Sequence, residues 1–141
     1  METRALKLDA ILETALYVED LDRARRFFQG IFGLSELYCD RRMCALSVAP
    51  HNVLLLFVQG ESNETVALPG GTIPPHDGGG RVHVAFAIPA QDLAAWETRL
   101  TENNVALEGR TRWPRGGTSV YFRDPDGHLL ELATPGLWAT Y

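Results

Sequence analysis

Two stretches of this chain repeat one another. Ile11-Leu12-Glu13-Thr14-Ala15-Leu16-Tyr17-Val18 and Arg81-Val82-His83-Val84-Ala85-Phe86-Ala87-Ile88 each carry a polar, coordination-capable residue at the third position and an alanine two residues on. Both read as strands. Side chains alternate between faces along a strand, so Glu13 shares a face with Ala15, and His83 shares one with Ala85. The opposite faces carry Leu12, Leu16 and Val18 in the first copy and Val82, Val84, Phe86 and Ile88 in the second. One face is suited to a core. The other presents a potential ligand among small residues that leave room for something to bind.

The residues after each copy repeat the same order of elements. In the first half, Asp20 caps a helix whose apolar stripe is Ala24, Phe27, Phe28 and Ile31, with Gly33 as its left-handed stop. Strands are expected over 35–40 and 43–48, paired around Arg41-Arg42, and over 53–58 after the turn Pro50-His51-Asn52. In the second half a helix starts near Gln91-Asp92, carries Leu93, Trp96 and Leu100, and stops at Asn103-Asn104. Strands are expected over 105–113, 118–123 and 128–133, the last two joined by Asp124-Pro125-Asp126-Gly127, a strong turn sequence. The chain thus reads as one α+β domain, 1–141, made of two pseudo-symmetric β-α-β-β-β modules, about 9–60 and 81–135, curled around a cleft. Overlaying the last strands with an offset of 75, through the turns at Pro50 and Pro125, sets Leu56 against Glu131.

Between the modules, 61–80 is rich in glycine and proline and reads as a long loop, a lid or pocket rim, that contains His76. The tail from 136 to 141 carries Trp138 and Tyr141 and is expected to lie across a surface or a partner. Cys39 and Cys44 lack Cys-x-x-Cys spacing and read as reduced structural thiols. A net charge of −5 and a pI near 5.3 argue against a nucleic-acid or acidic-membrane surface. With no apolar run of membrane-spanning length and no signal peptide visible, a cytoplasmic protein is expected.

The chemistry centres on three residues at corresponding places in the repeat. Glu131 lies mid-strand between Leu130 and Leu132, and Glu13 lies among Leu12, Ala15 and Leu16. A buried carboxylate needs a partner, because desolvating its charge costs several kcal/mol. A divalent cation held by Glu13, His83 and Glu131 meets that need for both carboxylates and leaves positions open for water or substrate. Around it, Arg115, in the turn Trp113-Pro114-Arg115-Gly116-Gly117, can bind an anionic group bidentately. Tyr121 can donate a proton or a hydrogen bond from the cleft wall, His76 can act as a base, and Tyr17 shares a face with Glu13.

Several of these stretches resemble the vicinal oxygen chelate superfamily, which includes glyoxalase I, fosfomycin resistance transferases, extradiol dioxygenases and bleomycin-binding proteins. They are Ala15 to Leu21 with Arg25-Arg26-Phe27-Phe28 and Leu34, His83-Val84-Ala85-Phe86, and Tyr121 through Leu132. The Asp-Pro-Asp-Gly-x-x-x-Glu segment behind an aromatic strand is the most specific part. The resemblance covers about 9–135 and implies paired modules, a U-shaped metal-bearing cleft (the glyoxalase-like fold) and a homodimer. It places His83 and Glu131 on metal-ligand positions, and Glu13 where the family more often has histidine. Oxygen donors favour Zn, Ni, Mn, Fe, Co or Mg over copper. Leu56 falls where glyoxalase I has a fourth ligand or basic glutamate, so glyoxalase I turnover is not expected. The expectation is a metal-dependent glyoxalase-like lyase or isomerase, or a dioxygenase-like enzyme, acting on a small substrate. The alternative is a non-catalytic protein that binds an antibiotic or toxin.

Overall fold

The computed structural model describes residues 4–141. The first module runs β1 (Glu13–Val18), α1 (Leu21–Phe32), β2 (Ser35–Cys39), β3 (Met43–Ala49) and β4 (Asn52–Val58). After a short hairpin, β5 (Val66–Leu68) and β6 (Gly71–Ile73), the second module runs β7 (His83–Ala87), α2 (Leu93–Glu102), β8 (Gly109–Arg112), β9 (Thr118–Arg123) and β10 (Leu129–Ala133). The sheets are ordered β1-β4-β3-β2 and β7-β10-β9-β8. In each, the module's first strand pairs in parallel with its last and the remaining pairs are antiparallel. The two β-α-β-β-β modules are therefore copies in topology as well as in sequence.

Local chemistry sets the helices. The Asp20 side chain accepts from the Arg23 amide, and Gly33, at φ 66°, stops α1 in the left-handed region that glycine enters without a Cβ penalty. Ala24, Phe28 and Ile31 are buried, as their spacing predicts. One apolar cluster joins both modules, from Leu16, Val18 and Phe28 to Val120, Phe122 and Leu132. Phe32, at the end of α1, meets Phe86 at 5.4 Å, Trp96 at 5.6 Å and Phe122 at 6.1 Å between ring centroids. The end of the first helix thus packs on the second module.

Four expectations are corrected. Val105 to Glu108 stay outside the sheet, and β8 is only Gly109–Arg112. The 61–80 segment holds the β5–β6 hairpin, whose strands are three residues each. Cys39 and Cys44 face each other across β2 and β3, with Cα atoms 4.1 Å apart, and are joined as a disulfide rather than left as thiols. Glu13 is exposed rather than buried, because it opens β1 on the face of Ala15 and Tyr17, opposite the core face of Leu16 and Val18. Among the described residues, no helix is long and apolar enough to cross a membrane.

Candidate functional site

Strand register decides which side chains meet. In the second module Glu131 lies directly across from Tyr121 on β9 and from Ala85 on β7. Directly opposed residues project to the same face, as do residues two apart on one strand. Ser119, Tyr121, Glu131 and His83 are therefore neighbours on one face. Tyr121 stands 6.4 Å from the His83 ring, centroid to centroid.

Glu131 is only 5% exposed. Its Oε2 accepts from the Ser119 hydroxyl, and the Trp113 indole N–H donates to Ser119 Oγ at 2.8 Å. Its Oε1 lies 3.0 Å from His83 Nε2, while His83 Nδ1 lies 2.8 Å from the Leu129 carbonyl oxygen. A carbonyl oxygen can only accept, so Nδ1 carries a proton and donates it. In the neutral ring this leaves Nε2 as a bare lone pair facing a carboxylate oxygen. Two acceptors at that distance require a proton, on the ring or on the carboxyl, or a cation between them. Two donor atoms bound at about 2.1 Å and a right angle to one ion lie roughly 3 Å apart, so His83 and Glu131 fit a divalent metal.

The first module has its own group. Glu13 and Ala15 line a cavity with Leu55, Phe57 and His76. The Tyr17 hydroxyl is 2.7 Å from His76 Nδ1, and Tyr17 stacks on Phe57 with centroids 5.8 Å apart. Arg42 donates to Ser62 Oγ at 2.7 Å, and its guanidinium lies 5.6 Å from the Phe57 ring centroid.

The sequence-predicted residues therefore fall into two sets within one chain. His83, Glu131 and Tyr121 come together, Glu13, Tyr17 and His76 line or flank the other face, and Arg115 is exposed in the β8–β9 turn. Among the described residues, Glu13 does not join His83 and Glu131 in a metal-sized cluster. Glu36, Cys39 and Cys44 do have ligand atoms within 4.8 Å of one another, but the two sulfurs are bonded together.

Sequence reasoning missed Ser119, Trp113 and Arg42. The period of two from Tyr121 back to Ser119 was the signal available for the first. The position set against Glu131 is also corrected. Glu13 pairs with Val53 and Ala15 with Leu55, as His83 pairs with Leu129 and Ala85 with Glu131. Leu55 is thus the counterpart of Glu131, and Leu56 points into the core at 0% exposure. The overlay was one residue out of register, and one residue reverses the face.

The family model described as the Glyoxalase/Bleomycin resistance protein/Dioxygenase superfamily matches residues 10–132. The metallothiol transferase FosB of Staphylococcus epidermidis is 30% identical over 130 residues, which is 92% of this chain and 84% of that one. A shorter match, 51% identical over 53 residues, is to FosB of Staphylococcus saprophyticus; it spans 37% of this chain and only 35% of that relative's length. The crystal structure of lactoylglutathione lyase from Agrobacterium tumefaciens superposes with a TM-score of 0.84 at 34% identity, covering 94% of this chain and 98% of that one. The fosfomycin resistance protein FosX of Listeria monocytogenes, crystallised with Mn(II) and sulfate, shares the fold with a TM-score of 0.68 at 22% identity, covering 91% of each chain.

Proposed function

Because the chain belongs to the glyoxalase/bleomycin resistance protein/dioxygenase superfamily, we propose that it is a divalent-metal-dependent enzyme acting on a small molecule that offers the ion two adjacent oxygens. His83 and Glu131 hold the ion, and Glu13 of a second copy completes the set in a homodimer. The observation that carries this reading is the 3.0 Å approach of His83 Nε2 to a buried Glu131 oxygen while His83 Nδ1 is engaged by the Leu129 carbonyl. When bound, the ion supplies Lewis-acid polarisation of a substrate oxygen.

The chain's own residues do the rest. The Leu129 carbonyl fixes the His83 tautomer, and Trp113 and Ser119 hold the Glu131 carboxylate in one orientation. The Tyr121 ring stands 6.4 Å from the His83 ring on the same face, and its hydroxyl is the group there that can hold or deliver a proton at a substrate oxygen. Arg115 lies exposed at the β8–β9 turn and meets an anionic group arriving from solvent. Within this class, group transfer of the kind that the metallothiol transferase relatives are named for is the favoured chemistry.

Glu131→Gln tests the reading. It keeps the shape of the side chain and removes the charge, so Mn²⁺ affinity should fall at least tenfold in calorimetric titration. Saturating metal should raise the thermal midpoint of the wild type but not of the variant. A variant with undiminished metal occupancy overturns Glu131 as a ligand.

A further inference from the structure

The cavity on the first module has a volume of about 510 Å³. Its floor is Ala15, Leu55 and Phe57 on β1 and β4, and its roof is Val66, Ile73 and Pro74 of the β5–β6 hairpin and the residue after it. Glu13 stands at one end of the β1–β4 pair, opposite Val53, and Tyr17 stands at the other, opposite Phe57. Four residues of strand separate those ends, roughly 13 Å.

The roof is built into the fold. The His76 amide donates to the Ser62 carbonyl at 2.9 Å, and the Gly60 amide donates to Asp77 Oδ1 at 3.1 Å. Gly78 lies so close to the Tyr17 ring that a Cβ there would come within 2.6 Å of it. Val66 and Ile73 are thereby held above an apolar floor with an open space between. The polar side chains at the far end are already engaged: Tyr17 with His76, and Arg42 with Ser62. The middle of the cavity is left with carbon on both sides.

We infer that this cavity receives the apolar body of the substrate, an aromatic or branched group attached to a head that offers two adjacent oxygens at the Glu13 end. The inference rests on the proposal that Glu13 belongs to the metal site, and it adds the class of substrate. A cavity of this size suits a drug-sized ligand, since such pockets run from about 300 to 1,000 Å³. A three-carbon polar substrate would leave most of it empty. Glu13, Glu64 and Arg42 give the lining mixed charge, so a polyanion is a poor fit.

Mandelate and lactate separate the two halves of this idea. They share an α-hydroxycarboxylate head and differ by phenyl against methyl. Their dissociation constants should be measured by ligand-observed NMR on both metal-free and Mn²⁺-loaded protein. Mandelate is expected to bind at least tenfold more tightly than lactate in both forms, because the preference comes from apolar contact rather than from the ion. The roof variant Val66→Ser with Ile73→Ser should bring that ratio below about threefold while leaving lactate and Mn²⁺ affinity unchanged. A wild-type ratio near one, undetectable mandelate binding in either form, or a preference that survives in the roof variant overturns the inference. Failure of Mn²⁺ to bind counts against the metal reading instead, and the ratio in metal-free protein still decides this one.

Discussion

A carboxylate as enclosed as Glu131 needs both oxygens occupied, and Ser119 supplies one partner while His83 faces the other. Removing the Ser119 hydroxyl leaves a buried oxygen without its donor and frees the carboxylate to turn. Ser119→Ala is expected to weaken Mn²⁺ binding about tenfold, the lower end of what loss of a ligand's orienting partner costs; an unchanged calorimetric isotherm would remove Ser119 from the site. In the first module, the expectation against glyoxalase I chemistry now rests on Leu55 rather than Leu56. Leu55, the structural mate of Glu131, lines the cavity, whereas Leu56 is fully buried. Leu55→Glu should therefore fold and bind metal more tightly through an added oxygen donor. Leu56→Glu should lose several kcal/mol of stability in urea titration, because it forces a charge into the core. Equal stability of the two would contradict the register. With leucine at 55, metal-loaded wild type should form negligible lactoylglutathione from methylglyoxal and glutathione; turnover near that of a true glyoxalase would require another base, His76 or Tyr121 first. That Glu13 and His83 hold matching places on β1 and β7 was legible, because the two strands repeat in register. The Leu56 assignment was not, since counting back from a turn fixes a strand only to within a residue.

At the scale of elements, the Asp-Pro-Asp-Gly turn does more than reverse the chain. Asp126 Oδ1 accepts from the Glu19 amide at 2.9 Å and from Arg23 at 3.2 Å, so the turn before β10 is fastened to the start of α1 in the other module. A negative group there also faces the positive end of the helix. Asp126→Ala should cost about 2 kcal/mol, the usual range for hydrogen bonds to a charged group, and chemical denaturation would register it. A loss within error would mean that the shared apolar cluster, with the aromatic contacts of Phe32, joins the modules without help from the turn. The sequence showed the turn but not its target, because nothing local to Asp126 says which helix lies beneath it. Helices α1 and α2 were legible to within a residue or two, since caps and apolar stripes are local signals. The β5–β6 hairpin was hidden because three-residue strands are too short for alternation to show among Gly70, Gly71 and Pro74. The disulfide was missed although the expected hairpin around Arg41-Arg42 already set Cys39 opposite Cys44, because only Cys-x-x-Cys spacing was weighed.

For the whole molecule, the separation of Glu13 from His83 and Glu131 is the fact that matters most. Three donors chosen by one repeat lie on faces that a single chain does not bring together among its described residues. A two-fold dimer resolves this, since it can set the first module of one copy against the second module of the other. The segment leading into β1 has the surface such a contact needs, with Leu6 96%, Leu8 97%, Ile11 77% and Leu12 61% exposed in a row that ends beside Glu13. Complementation gives a direct test. Glu13→Ala and His83→Ala chains should each fail to bind Mn²⁺ tightly as homodimers. In a heterodimer purified through two different tags, the intact Glu13 of one chain meets the intact His83 of the other, and a single site per dimer should return with wild-type affinity. If both donors instead served the same chain's site, every site in the heterodimer would lack one of them and no tight binding would return. A monomer mass in sedimentation at micromolar concentration would dispose of the dimer altogether, and the three donors would then have to meet by moving one module against the other.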